Sequence, residues 1–190
     1  MKMPKNEIIF AIIAISLGVL TRTFLDLGHN IEMITAFAIV SGFYFNNKKL
    51  AYAVPLISMV ISDVIIGNTS IFLFTWSGFL FAPMLGFFLR NLADRAKDSK
   101  FAVGLVGSQI GGIVSTMLFF LWTNFGVWIE GTMYARTGTG LIQSYINAIP
   151  FLTNQFVGNI IIVPIVFAAA YFFFNYGALT NPIKKFSLKK

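Results

Sequence analysis

The sequence has no cysteine, one histidine and few charged residues, which make up 11% of its 190 positions. The absence of cysteine excludes disulfides, thiolate metal ligands and cysteine nucleophiles. The single histidine, His29, forms no Ser-His-acid pattern, and neither an HExxH motif nor a phosphate-binding glycine loop is present. We therefore expect no enzyme, no metal site and no cofactor.

Apolar residues are abundant instead, at 57% of the chain with 22 phenylalanines. A bilayer core about 30 Å thick requires about 20 apolar residues for each helical span. The composition predicts an all-α polytopic membrane protein with about six transmembrane helices in a single integral membrane domain over residues 1–190. The predicted spans are residues 8–25, 34–45, 50–66, 71–89, 101–122 and 156–174, and a long outer loop covers 123–155, with 140–151 as a helix along the membrane surface.

The basic residues predict the orientation. If the amino terminus is cytoplasmic, only Arg22 and Arg136 of the 14 Lys and Arg residues fall outside. Cytoplasmic loops are enriched in Lys and Arg, so both termini are predicted to be cytoplasmic. The net charge of +7 then reflects topology in a lipid bilayer, and we expect no nucleic-acid partner. The first apolar run lacks a small-residue cleavage site and is predicted to be a retained helix.

Charged residues near the outer ends of the predicted spans form one candidate site. Asp63 lies in the third span, where an ionisable group is costly unless it pairs or faces water. It either lines a pocket or forms a structural salt bridge with Arg22. Arg22 and Arg136 are candidates to bind an anionic or carbonyl-bearing solute. The alternative is that each neutralises a nearby acid, Asp26 or Glu130.

Aromatic and small residues each allow two interpretations. Trp128 and Tyr134 would stack against a planar ligand, although Trp and Tyr are also common in interfacial belts. Ala14 and Gly18 lie four residues apart on the first span, a spacing that lets another helix approach closely. That helix belongs either to a partner or, as the more frequent case, to the protein itself.

Several local patterns together resemble a family of bacterial six-span membrane proteins of unknown function. They are Ser62-Asp63 followed by Gly67, the run Thr123-Asn124-Phe125-Gly126-Val127-Trp128, then Tyr134 and Ala148-Ile149-Pro150-Phe151. That family is in turn similar to the substrate-binding S components of energy-coupling factor (ECF) transporters.

The resemblance implies a solute-binding subunit of a micronutrient importer in the bacterial inner membrane. Its partners would be a coupling membrane subunit, docked on Ala14 and Gly18, and a pair of ATPases. Lys2 replaces the histidine of nickel- and cobalt-specific relatives, so no metal is expected. The substrate-binding residues would be Arg22, Asn30, Asp63, Asn124, Trp128, Tyr134 and Arg136.

Two other classes of function stay open from the sequence. One is a structural or assembly protein of the cell envelope, which would need no outward pocket and carries no transported solute. The other is a membrane enzyme acting on a lipid, for which Asp26 and Glu32 are candidate paired acids. The solute itself is not predicted.

Overall fold

The computed structural model describes residues 4–25, 30–67, 70–96 and 99–180, and all regular structure in these ranges is helical. Five segments are long and apolar enough to cross a membrane, because α4 and α5 together count as one span. The shorter α2 completes the set, so the prediction of an all-α membrane protein with about six spans is confirmed. The helices are α1 Lys5–Thr23, α2 Ile34–Tyr44, α3 Lys48–Ile66, α4 Phe72–Gly78, α5 Phe81–Arg95, α6 Lys100–Glu130 and α7 Gly138–Thr180.

The short helix α2 is the centre of the bundle. Its 11 residues rise only about 16 Å at 1.5 Å per residue, and residues 34–42 are all buried. The segment nevertheless joins the two ends of the bundle, because Glu32 contacts Arg22 near the end of α1 and Asn46 contacts Glu7 near its start. A helix that other helices surround meets little lipid, so it does not need the length of an exposed span.

Two glycines allow α2 and α5 to touch through their backbones. A Cβ atom on Gly42 would overlap the Pro83 carbonyl oxygen, and one on Gly86 would overlap the Ile39 carbonyl oxygen. Small residues permit this close approach in membrane bundles, where dispersion contacts rather than water exclusion hold helices together. These two positions therefore set the distance between the central helix and its neighbour.

The break between α4 and α5 follows from Pro83. Proline has no N–H to donate, and its ring clashes with the carbonyl four residues earlier, that of Phe79. The Phe79 carbonyl instead accepts a hydrogen bond from the N–H of Ala82, three residues later, at 3.3 Å. The span predicted for 71–89 is thus two helices, and α5 continues to Arg95.

The predicted outer loop at 123–155 is mostly helix in the structure. Helix α6 continues to Glu130 and α7 begins at Gly138, so only residues 131–137 form a turn. The polar residues that suggested a loop bond within the α6–α7 hairpin instead. Asn124 donates to the Phe120 carbonyl at 2.8 Å, and Tyr145 donates across the hairpin to the Leu121 carbonyl at 3.0 Å. The helix predicted at 140–151 is present, but it is continuous with the last span.

The two ends of the bundle differ in charge. At one end, here called the terminal end, Phe174 of α7 packs against Phe10 of α1 with ring centroids 5.1 Å apart. The opposite end, where Arg22 meets Asp63, is called the cavity end. The described basic residues at the terminal end are Lys5, Lys48, Lys49, Arg90, Arg95 and Lys100, and those at the cavity end are Arg22 and Arg136. This distribution is the one that the orientation prediction assumes, and the cytoplasmic location of the terminal end stays a prediction.

Glu7 closes the terminal end. Its carboxylate accepts hydrogen bonds from the Asn46 backbone N–H at 3.0 Å, the Asn46 side-chain amide at 3.1 Å and the Asn47 backbone N–H at 3.4 Å. Arg90 completes the group by donating to the Phe45 carbonyl at 3.0 Å and the Asn46 amide oxygen at 2.8 Å. The buried carboxylate thus holds the turn between α2 and α3 against the start of α1.

Candidate functional site

A cavity of about 440 Å³ lies at the cavity end of the bundle. It is bounded by the end of α1, the connection before α2, α4, α6, the 131–137 turn and α7. Its apolar lining residues are Ile71, Phe119, Val127, Met133, Ala148 and Phe151, and its polar ones are Arg22, Asn30, Glu32, Thr75, Thr123, Asn124, Tyr134, Ser144, Asn147 and Gln155. The volume falls in the range of about 300–1,000 Å³ that is typical of small-molecule sites.

Arg22 forms one side of the cavity and is held between two carboxylates. Its guanidinium lies 3.2 Å from Glu32 Oε2 and 2.9 Å from Asp63 Oδ1. Asp63 in turn accepts a hydrogen bond of 2.7 Å from Trp76 Nε1. The group ties α1, α3, α4 and the 30–33 segment together, with Asp63 behind Arg22 rather than on the cavity wall.

The charges of this group do not cancel, because one guanidinium faces two carboxylates. The Glu32 side chain is only 10% exposed and lies outside the helical spans, in the connection to α2. Burial raises the pKa of the Glu32 carboxyl above its ordinary value, and the neighbouring Arg22 guanidinium opposes that shift. Glu32 therefore takes up a proton at a higher pH than a free glutamate does.

Three hydroxyl groups on the cavity wall have already donated their hydrogens. Thr75 donates to the Phe72 carbonyl at 2.9 Å, and Thr123 donates to the Phe119 carbonyl at 2.8 Å. Ser144 donates to the Leu141 carbonyl at 2.8 Å. A hydroxyl group that donates its hydrogen within its own helix keeps the lone pairs of its oxygen. These residues therefore present hydrogen-bond acceptors to the cavity.

Gln155 is the most unusual polar residue of the wall. It is 6% exposed, and within the described part of the chain its amide has no hydrogen-bond partner. Among the described residues, the buried side-chain atoms without a partner are Arg22 Nε and Ser41 Oγ, so the Gln155 amide is accessible from the cavity and can bond water or a solute. One turn further along α7, the Asn159 amide donates to Thr116 Oγ1 at 2.8 Å, which closes the wall below Gln155.

The predicted site residues divide into three groups. Arg22, Asn30, Asn124 and Tyr134 line the cavity, and Asp63 pairs with Arg22 from behind. The structure does not bring the other two residues to the cavity wall. Trp128 donates to the Ala135 carbonyl at 3.0 Å and so braces the 131–137 turn, while Arg136 is exposed on that turn. The proposed anion clamp of Arg22 and Arg136 is therefore not assembled.

Ala14 and Gly18 lie inside the bundle. Ala14 is 0% exposed, and a Cβ on Gly18 would come within 3.1 Å of Ser58 Oγ on α3 and 3.2 Å of Ile34 Cγ1 on α2. Their small size lets α1 approach its own neighbours, which is the internal-packing alternative. In this structure, these two residues offer no surface to a coupling subunit.

Gln155 and the face of α7 to which it belongs are absent from the predicted site. Asn147, Phe151 and Gln155 are spaced four residues apart, which places them on one helix face, and Ser144 lies three residues before Asn147. That spacing is visible in the sequence, but the predicted surface helix covers only 140–151 and leaves Gln155 in the loop. Asp26 and His29 lie outside the described residues.

Comparison with known proteins identifies a family. The Family of unknown function (DUF6580) matches residues 2–179, which is most of the chain. Neither the curated proteins nor the solved structures provide a match to the chain. The family match agrees with the resemblance to six-span proteins of unknown function, and it carries no transporter assignment.

Proposed function

The chain belongs to the DUF6580 family, and we propose that it is a solute-binding membrane subunit, similar to the S components of ECF transporters. The observation that carries the proposal is the cavity of about 440 Å³ with the Gln155 amide open to it and without a partner among the described residues. Structural polar clusters satisfy their own members, as the Glu7 group does at the terminal end. An amide left without a partner beside an open volume is suited to a solute.

Binding fits this cavity better than catalysis. Arg22 and Glu32 hold each other, and the three wall hydroxyls donate to helix carbonyls rather than to a base. A hydroxyl nucleophile needs a base to accept its proton. The chain has no nucleotide-binding motif, so import would require energy from partner ATPases.

The proposal places the cavity end outside the cell and the basic terminal end in the cytoplasm of a bacterium. A coupling subunit would have to dock on another surface than Ala14 and Gly18, because both residues pack within the bundle. The alternative of an envelope scaffold requires no cavity, and for that reason we favour solute binding.

Native mass spectrometry of the protein, released from its own host's membranes, tests the proposal. We expect a small molecule to stay bound to the wild type and to be lost in Ala148→Trp, because Ala148 is buried and lines the cavity. Ala169→Trp is the matched control, since Ala169 lies on the exposed face of the same helix. The same preparation would show whether two ATPases and a membrane subunit co-purify. A wild type without any bound small molecule, purified with envelope-assembly proteins instead, would support the scaffold alternative.

A further inference from the structure

We infer that the solute carries a protonated amine together with further hydrogen-bond donors, and that the cavity discriminates against anions. This inference rests on the proposed function, because it assigns a chemical class to the solute of the same cavity. It replaces the anionic solute that two outer arginines suggested.

The charges around the cavity are the first argument. The Arg22 guanidinium uses NH1 for Glu32 and NH2 for Asp63, so its positive charge is shared by two carboxylates, while its buried Nε has no partner among the described residues. Arg136 is exposed and does not line the cavity. With Glu32 ionised, the two carboxylates outweigh the one guanidinium, and an ammonium group beside Glu32 would balance the excess negative charge and keep Glu32 ionised. Such charge effects are strong where little water is present.

The hydrogen-bonding capacity of the wall is the second argument, and it is independent of charge. The oxygens of Thr75, Thr123 and Ser144 face a solute as acceptors, because their hydrogens are committed to helix carbonyls. Asn124 donates one of its two amide hydrogens to the Phe120 carbonyl, so its side-chain oxygen stays an acceptor and its second N–H stays a donor. A wall with several free acceptors is complementary to a solute with amine, amide or hydroxyl hydrogens.

Tyr134 and Gln155 add donors to the wall. The Tyr134 hydroxyl accepts from the Asn147 amide at 3.2 Å, so its own hydrogen is available. Gln155 offers both an NH₂ group and a carbonyl oxygen to the cavity. Phe119, Val127 and Phe151 provide the apolar surface against which the body of the solute would pack.

Three probes with one common skeleton test the inference. Tyramine, tyrosol and 4-hydroxyphenylacetate each carry a phenol and differ in an ammonium, a hydroxyl or a carboxylate group. Their dissociation constants for the purified full chain, in nanodiscs of phosphatidylcholine, would be measured by ligand-observed NMR, with empty nanodiscs as the blank. We expect tyramine to bind most tightly and 4-hydroxyphenylacetate at least about tenfold more weakly, which corresponds to roughly 1.4 kcal/mol.

Two variants assign the preference to the cavity. Glu32→Gln should reduce tyramine binding to the level of tyrosol, whereas Glu130→Gln should change neither, because Glu130 is exposed and lies outside the cavity lining. Asn147→Asp adds a carboxylate at an exposed position of the wall, where folding is not at risk, and should strengthen tyramine binding selectively. This gain of affinity keeps the test decisive even if Glu32→Gln fails to fold.

The outcomes separate the inference from the proposed function. Equal or tighter binding of the carboxylate probe would overturn the inference while leaving a solute site in place. Failure of all three probes at millimolar concentration, with a solute still retained in native mass spectrometry, would also overturn it. If neither probes nor a native solute bind, the proposed function itself is wrong.

Discussion

The charged groups at the two ends of the bundle are bonded differently. At the terminal end, the Glu7 carboxylate accepts three N–H groups and Arg90 fills the remaining acceptors of the same turn. At the cavity end, one arginine serves two carboxylates, and the Gln155 amide has no partner among the described residues. The first arrangement stabilises the fold. The second gives up stability and leaves chemical groups free for another molecule.

Of the substitutions that test this difference, Arg22→Met should have the largest effect on stability. The substitution leaves Glu32 and Asp63 as two buried carboxylates without a counter-charge, which costs on the order of 3–5 kcal/mol in comparable buried pairs. We expect a large fall in the thermal unfolding temperature in detergent. The triple variant Arg22→Met, Glu32→Gln, Asp63→Asn removes all three charges and should recover most of the loss. A triple variant no more stable than the single one would show that Arg22 acts through packing alone.

Gly42→Ala should have the next largest effect, because the added methyl group meets the Pro83 backbone carbonyl, which cannot rotate away. Overpacking of this kind costs about 1–3 kcal/mol. Gly138→Ala is the matched control, since a Cβ at Gly138 has no other atom within 4 Å. The measurement is unfolding in mixed micelles. Equal stability of the two variants would contradict the backbone contact between α2 and α5.

Glu7→Ala tests the terminal end with an effect of about 2 kcal/mol, because three N–H groups lose their acceptor. Solute binding at the opposite end should be unchanged in the fraction that folds. Lys5→Ala, an exposed change two residues earlier, should leave stability as it is. A loss of binding in folded Glu7→Ala protein would mean that the two ends are coupled.

Gln155→Leu should have the smallest effect on stability. It directly tests whether the polar groups at the cavity end serve binding rather than folding. Since the Gln155 amide has no protein partner among the described residues, its removal should leave the unfolding temperature unchanged or slightly higher. Binding of the native solute should fall by about tenfold or more, which is roughly 1.4 kcal/mol. The amide would be merely structural if Gln155→Leu destabilised the protein and retained full binding.

The helical framework could be predicted from the sequence because lipid demands long apolar helices and marks their ends with charge. The Arg22–Asp63 pair was foreseen as one of two alternatives, since each charge in a span needs a partner. The α6–α7 hairpin was not foreseen, because polarity alone does not distinguish a loop from a helix whose polar face lines a cavity. Tyr145 and Asn124 show the difficulty, as both use helix carbonyls that no sequence pattern reveals.

Site residues on separate helices were harder to predict than the helices themselves. Arg136 was chosen for its charge, yet it lies exposed on the 131–137 turn. Gln155 carries no charge to mark it in the sequence, yet the structure places its mostly buried side chain on the cavity wall. Which polar residues share a cavity depends on how α1, α6 and α7 pack, and the spacing within one helix does not contain that information.

The enclosed position of α2 also constrains the order of events during synthesis. Helix α2 leaves the ribosome before α5, α6 and α7, yet α5 and α7 provide much of its surroundings, through Pro83 and Phe167 for example. During synthesis, α2 therefore has only α1 and α3 as neighbours until more than two thirds of the chain has been made and α7 can pack against it. Helix α2 reaches its final packing only after α5 and α7 have been inserted. Chains that stop before α5 should therefore be substrates for membrane proteases.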